Sequence, residues 1–327
     1  MKANISSTVS NKSYVGRESK TCSQETIFKS LEHKIKVPGL YEAIAEPFVR
    51  GIESTNYCGC HCKACTYDQM RRKKGKMSEE LFKLAVENVL KYTSERIITL
   101  HHFGDPLLHP KLPEFINYAG SQGLKTKIST VGVALTPKLI DELVESDLTV
   151  IKFSFWGTNE REFEYFQNAS YRRTMENIHR FIEKKSKIKV IIELLTDGSH
   201  KMSELEYYNQ WKDMIQMKPA GNWIGDDNQV IKFTKVKRKT TTVPCGKFWG
   251  SELKVLWNGD VVPCCMDYDG KAVVGNIQEE TIMSIWGGAK MNELRKLHAE
   301  GRRGEVELCK FCSCPSWQRP SRADLLC

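Results

Sequence analysis

No stretch of this chain approaches the roughly 20 apolar residues that a membrane-spanning helix needs, and its first residues hold no apolar run of the kind that opens a secreted chain. Both absences suggest a soluble, cytoplasmic protein that engages no membrane. Low-complexity repeats are missing too. With hydrophobic residues at 40% and charged ones at 27%, the 327 residues suffice for a full α/β catalytic domain and a smaller appendage. Cysteine is absent between Cys65 and Cys245, although the chain holds 12 of them. Apart from Cys22, they fall into an early group, Cys58, Cys60, Cys62 and Cys65, and a late one from Cys245 to Cys327. A disulfide scaffold explains this poorly, because a chain of this size builds a core without staples. Clustered thiols in a reducing compartment suggest metal.

The formal charge of +9 raises the question of nucleic acid. The basic residues are spread widely, however, and the densest run, Arg71-Arg72-Lys73-Lys74 with Lys76, stands alone. We expect a solvated loop there, or an electropositive mouth for an anionic substrate, and no nucleic-acid partner.

Residues 1–45 are polar and read as a loosely docked extension. From about residue 48 strands and helices alternate. Strands are expected at 48–54, 96–100, 125–130, 149–155 and 187–195, with amphipathic helices at 78–93, 111–122, 137–146 and 170–186. Thr136 before Pro137 is a strong helix start, since threonine caps free backbone donors and proline suits the first helical position. Repeated βα units predict a parallel sheet with helices against it, open or curled into a barrel, over about 46–235. In either form the functional loops lie at the carboxyl ends of the strands. A smaller domain, 236–327, begins with Leu253-Lys254-Val255-Leu256-Trp257, Asn258-Gly259 and Asp260-Val261-Val262. Asn-Gly between short apolar runs predicts a two-residue hairpin turn, and a helix is expected at 280–299.

Cys58, Cys62 and Cys65 are spaced Cys-x3-Cys-x2-Cys just after the first strand. Three thiolates on one loop hold three corners of a 4Fe-4S cube and leave its fourth iron open to a small chelating molecule. Zinc is the alternative ion, with Cys60 and His61 as further donors; Cys60 otherwise reads as a spare thiol. Cys245, Cys264, Cys309 and Cys312 repeat the logic with four ligands, which close a cube and suit electron transfer. Cys314 and Cys327 match no further ligand spacing.

The triad on a βα frame resembles the radical S-adenosylmethionine (SAM) superfamily. The resemblance extends to Phe103-Gly104-Asp105-Pro106, directly after a predicted strand, and to Ser129-Thr130 and Ser154 at strand ends. It implies a partial (β/α)6 TIM-like barrel, a SAM-binding 4Fe-4S cluster, and SAM contacts from Gly104, Asp105, Pro106, Ser129 and Ser154. It also implies an electron donor such as flavodoxin or ferredoxin. Three positions depart from the family pattern: Ala64 stands where an aromatic residue is usual near adenine, Phe103 replaces a glycine, and Val131 replaces a common asparagine.

The C-terminal cysteines, with Gly275-Asn276-Ile277 and Ile285-Trp286 between them, resemble the SPASM domain in its shortened "twitch" form, a β-hairpin plus helix holding one auxiliary 4Fe-4S cluster. Within that group, Arg303-Gly304 through Leu308-Cys309-Lys310-Phe311-Cys312 is similar to dehydrogenases acting on aminocyclitols. That likeness implies removal of a hydrogen atom from a carbinol carbon of a sugar-like substrate, followed by oxidation to a ketone. Cys265, beside Cys264, is a candidate catalytic hydrogen donor, which would make the enzyme an epimerase of a sugar or peptide residue; the alternative is an inert thiol. A non-catalytic zinc or iron-sulfur binding module is the reading from another class. His101, His102, His109, Trp156 and Gly157 are candidates for a substrate pocket. Asp267 and Asp269 are candidates for substrate contact or a plain turn.

Overall fold

The computed structural model describes residues 47–185, 187–196, 211–219, 244–250 and 253–312, all within one compact unit, Tyr41–Cys327. The N-terminal extension, the 235/236 boundary, Cys22, Cys314 and Cys327 lie outside the described residues.

Six parallel strands form the frame: β1 (Val49–Ile52), β2 (Ile97–Thr99), β3 (Lys125–Thr130), β4 (Leu148–Trp156), β5 (Lys189–Thr196) and β6 (Ile215–Pro219). Four helical connections separate the first five: α1 (Glu79–Tyr92), α2 (Leu112–Ser121), α3 (Pro137–Glu145), then the pair α4 (Glu160–Gln167) and α5 (Tyr171–Lys184). The order β6-β5-β4-β3-β2-β1 follows the chain, as right-handed βαβ connection without crossing requires. The helix starts have local causes. Ser78, Thr136, Asn159 and Ser170 each accept a backbone N–H three residues on, at Leu81, Leu139, Glu162 and Arg173. In α2 a proline, Pro113, occupies the first turn instead. Asn168 closes α4 in the left-handed conformation, φ 51°. Both β6 and α4 lie outside the periodicities noted above. Among the described residues no helix is long and apolar enough to cross a membrane.

The C-terminal segment joins this sheet. β7 (Leu253–Val255) pairs parallel with β1 on the side opposite β2, and β8 (Asp260–Val262) and β9 (Gly275–Asn276) follow antiparallel, giving one nine-stranded sheet. The hairpin turn differs from the expected two-residue form. Gly259 N–H donates to Leu256 O at 2.9 Å, Leu256 N–H donates to Asp260 O at 2.7 Å, and Gly259 alone in the turn has positive φ, 87°. This is the three-residue loop, a turn ending in a left-handed glycine, which spares Asn258 that conformation. After a short α6 (Lys247–Gly250), the helix expected at 280–299 is broken in two. α7 (Ile282–Gly287) and α8 (Ala289–Ala299) meet at Gly288, and Arg295 braces the joint through Trp286 O, Phe248 O and the Trp286 ring.

The basic run requires a correction. Lys73, Lys74 and Lys76 are exposed, but Arg72 turns inward and forms a two-pronged pair with the fully buried Glu53, at 2.7 and 2.5 Å. Its Nε donates to the carbonyl oxygen of Tyr268, beyond the C-terminal hairpin, at 2.7 Å. The backbone N–H groups of Arg71 and Arg72 donate to Asp269, so that carboxylate anchors this loop. A pattern of consecutive cations carries no sign of which one faces inward.

Glu53→Gln leaves Arg72 buried without its counter-charge, and is expected to cost about 3–5 kcal/mol of unfolding free energy in denaturant titration. The double variant with Arg72→Gln should recover part of that loss, and full additivity would contradict the pairing.

Candidate active site

At the carboxyl ends of β1–β5 lies a cavity of about 390 Å³. The loop after β1 contributes Cys58, Cys62 and Cys65, so the three predicted thiols share one wall. Their backbone is tied locally: Cys58 N–H donates to Tyr67 Oη at 2.8 Å, and Cys65 N–H donates to Cys62 O at 3.0 Å. Cys62 Sγ lies 2.8 Å from Gln167 Oε1 at the end of α4. Cys60 is buried and absent from the cavity lining, while its N–H donates to Cys58 Sγ at 3.4 Å. His61 is exposed and paired with Asp68.

The electrostatics of this wall bear on what it holds. A hydrogen bond with Cys60 and burial push the Cys58 thiol up, and burial pushes Cys65 up to about 12. Thiols so placed ionise only when a cation compensates them, as a metal does. Zinc requires its donors to converge on one point. Among the described residues no three His, Cys, Asp or Glu side chains do so. Three thiols sharing one cavity wall suit three corners of an iron-sulfur cube.

The segment after β2 faces the triad. Gly104 has φ 98°, and a Cβ there would lie 2.7 Å from Asn56 Cα, so only glycine lets this chain lie flat against the start of the cysteine loop. Asp105 N–H donates to Tyr57 O at 2.7 Å. Its carboxylate accepts from Thr130 Oγ1 at 2.7 Å and from Leu107 N–H at 3.0 Å, capping the turn Pro106–Leu108. Burial pushes Asp105 up to about 6. Ser129 and Ser154 both line the cavity, from β3 and β4.

The departures from the family pattern find partners across the fold. Ala64, fully buried, packs against Trp156 at the end of β4, whose indole lines the cavity. Phe103 packs against His102, centroids 4.9 Å apart, and against Tyr268 at 5.6 Å. Its ring thus fills the space between the cavity and the C-terminal segment. Among the remaining candidates, His101 and His102 line the cavity. His109 does not; its Nε2 meets Met77 O at 3.0 Å and its Nδ1 accepts from Lys111 N–H, a packing role. Asp267 is fully buried and accepts from the N–H groups of Lys271 and Ala272, the plain turn. Cavity residues with no sequence signal are Lys152 and Glu193, joined at 2.7 Å, with Gln167 and Met266. Alternation along β4 and β5 is the one hint that Lys152 and Glu193 face inward.

The second thiol set gathers around the hairpin and the chain after α8. Cys309 is pushed up by burial and then by the nearby Cys245 and Cys312. Cys245 N–H donates to His298 Nδ1 at 3.0 Å, and the buried Arg303 donates to Cys312 O at 2.9 Å. Cys264 is pushed up by its hydrogen bond with Cys265 and by burial. Lys247 Nζ donates to Cys265 Sγ at 2.8 Å. Cys265 is not part of the cavity lining; its neighbour Met266 is.

Comparison with known proteins agrees with this geometry. The radical SAM superfamily model matches residues 52–203, and the SPASM iron-sulfur cluster-binding domain model matches 245–315. S-adenosyl-L-methionine-dependent 2-deoxy-scyllo-inosamine dehydrogenase from Niallia circulans is 26% identical over 84% of this chain and 95% of its own length. The crystal structure of BtrN in complex with AdoMet and 2-DOIA shares the fold at a TM-score of 0.57 and 20% identity, covering 85% of this chain and 97% of that one. SuiB of Streptococcus suis, solved bound to precursor peptide SuiA, does so at 0.59 and 14% identity, covering 91% and 80%. A radical SAM domain takes a 4Fe-4S cluster and SAM, and a SPASM domain takes auxiliary iron-sulfur clusters. With the triad at the mouth of a partial βα barrel, and Cys264 at the hairpin beside β1 while Cys245 precedes it and Cys309 and Cys312 follow α8, the chain carries a radical SAM domain over residues 52–203 and a SPASM domain over 245–315.

Proposed function

We propose that the enzyme oxidises a carbinol of a sugar or aminocyclitol-like small molecule to a ketone. The supporting observation is the composition of one cavity, which joins the thiol triad to the polar pair Lys152–Glu193 and is lined on the C-terminal side by Met266. Hydroxyl and amine groups suit such a pair, whose members offer both donors and acceptors. In this reading residues 46–235 form the catalytic barrel and 236–327 the auxiliary domain. Cys58, Cys62 and Cys65 hold the SAM-binding cluster, and Cys245, Cys264, Cys309 and Cys312 hold a second. Gly104, Asp105 and Pro106, with Ser129 and Ser154, receive SAM. The loaded cofactors supply an electron, from flavodoxin or ferredoxin, and a 5'-deoxyadenosyl radical; the protein orients the carbinol C–H toward it.

Epimerisation would require Cys265 to reach the substrate. Its bond to Lys247 and the presence of Met266 in the cavity wall favour the dehydrogenase. Cys265→Ala should therefore retain ketone formation, and a variant that still cleaves SAM yet forms no product would restore the epimerase.

Anaerobically reconstituted protein should bind about eight irons per chain. With reductant, SAM and 2-deoxy-scyllo-inosamine deuterated at its carbinol carbon, deuterium should appear in 5'-deoxyadenosine alongside ketone. SAM cleavage without deuterium transfer would reject this substrate class, and stoichiometric zinc in place of iron would reject the enzyme reading.

SAM binding should also depend on pH. An ammonium group beside Asp105 favours the ionised carboxyl, and that carboxyl, raised to about 6, is ionised only above this pH. The SAM dissociation constant is expected to rise as pH falls from about 7.5 to 5.5. Asp105→Asn should bind more weakly at the upper end and show a flat profile.

A further inference from the structure

Oxidation of a carbinol needs more than a hydrogen-atom acceptor. Once the carbon-bound hydrogen has left, the resulting α-hydroxyalkyl radical must lose one electron and the hydroxyl proton to become the ketone. An oxidised auxiliary 4Fe-4S cluster, which Cys245, Cys264, Cys309 and Cys312 would hold, would take up that electron and be reduced by one. The proton needs a neutral base within hydrogen-bond reach of the hydroxyl.

The polar groups lining the cavity narrow the choice. Lys152 is engaged by Glu193, and Glu193 is clasped between Lys152 and Lys218, each at 2.7 Å. Asp105 is engaged by Thr130 and Leu107. Tyr67 Oη accepts from Cys58 N–H. That leaves the adjacent imidazoles, whose protonation pattern follows from their backbone partners. Ser129 N–H can only donate, and it meets His101 Nδ1 at 3.1 Å, so His101 carries its proton on Nε2. Asp267 O can only accept, and it meets His102 Nε2 at 3.0 Å, so His102 carries its proton there and keeps its lone pair on Nδ1. The remaining nitrogen is therefore a donor on His101 and an acceptor on His102, on two rings that both line the cavity.

We propose that His102 is the catalytic base of the oxidation, its Nδ1 taking the hydroxyl proton as the carbon–oxygen double bond forms, with His101 Nε2–H donating to the carbonyl oxygen that results. Burial holds His102 down to about 4 and His101 well below the usual histidine range, so both enter the reaction neutral. The Glu53 carboxylate is the neighbouring charge that favours the protonated ring, and thus the state formed after proton uptake. The T-shaped contact with Phe103 holds the ring in place.

This assignment rests on the dehydrogenase reading, and one experiment separates the two. His102→Phe keeps a ring against Phe103, and His102→Asn keeps a polar acceptor of negligible basicity. Each reconstituted holoenzyme is given SAM, reductant and the carbinol-deuterated 2-deoxy-scyllo-inosamine. Both variants should still bind iron and SAM and still move deuterium into 5'-deoxyadenosine, while ketone formed per 5'-deoxyadenosine falls roughly 100-fold. An organic radical should accumulate in their EPR spectra. A wild-type ratio in either variant would overturn the role of His102 and leave the dehydrogenase standing. Loss of iron or SAM binding in both would make His102 structural and equally overturn it. Absence of deuterium transfer in the unsubstituted enzyme would overturn the dehydrogenase reading and this assignment with it.

Discussion

A single buried carboxylate organises the cavity mouth. Glu53, one residue past β1, is fully buried and accepts from the Arg72 guanidinium, from Phe103 N–H at 3.2 Å and from Trp257 N–H at 3.2 Å. These partners belong to the loop carrying the thiol triad, the segment carrying Gly104-Asp105, and the C-terminal hairpin. An ionised carboxylate without such partners would be costly in this interior, so each segment is held where it satisfies the charge. Asn56, also buried, repeats the arrangement beside it, donating to Lys73 O at 3.0 Å and accepting from Gly75 N–H at 2.7 Å. The loop carrying Cys58, Cys62 and Cys65 is thus fixed by polar contacts of its own.

Low dielectric sets the chemistry inside. Burial raises Cys65 and Asp105 and lowers His101 and His102, and a hydrogen bond with Cys60 followed by burial raises Cys58, which in every case favours the neutral form. Lys152 and Glu193 meet there as an ion pair. Such a cavity discriminates by what charge a ligand brings. Under the proposed function, a metal cluster would supply the cation that the thiols need and an ammonium the one that Asp105 needs, so both would gain affinity from groups poorly ionised on their own.

Much of the frame was legible in the sequence because its signals are local. Thr136-Pro137 caps α3 as expected, β3 spans Lys125–Thr130 as read, and the cysteine spacing brings Cys58, Cys62 and Cys65 to one wall. The parts that escaped depend on distant partners. Arg72 looks like its neighbours in sequence, and only Glu53 distinguishes it. The register of β7 on β1, which places the auxiliary hairpin in the barrel's own sheet, is a pairing between residues some two hundred positions apart that no periodicity encodes. His101 and His102 look alike until Ser129 and Asp267 assign their protons.

The same distinction explains the departures from the radical SAM pattern. A small residue at 64 and a large one at 103 look like losses when the motif is read along the chain. In the fold, Ala64 yields its space to Trp156 and Phe103 fills the gap toward Tyr268, so apolar volume is redistributed between the loops and the elements they meet. Trp156 sits on β4, paired to β5 through its whole inner register, and Phe166 supports it at 5.8 Å. An aromatic wall carried on a strand is less mobile than one carried on the cysteine loop, because the ladder fixes its backbone. The cavity's shape is consequently set by the sheet, and the loop is left to hold the thiols.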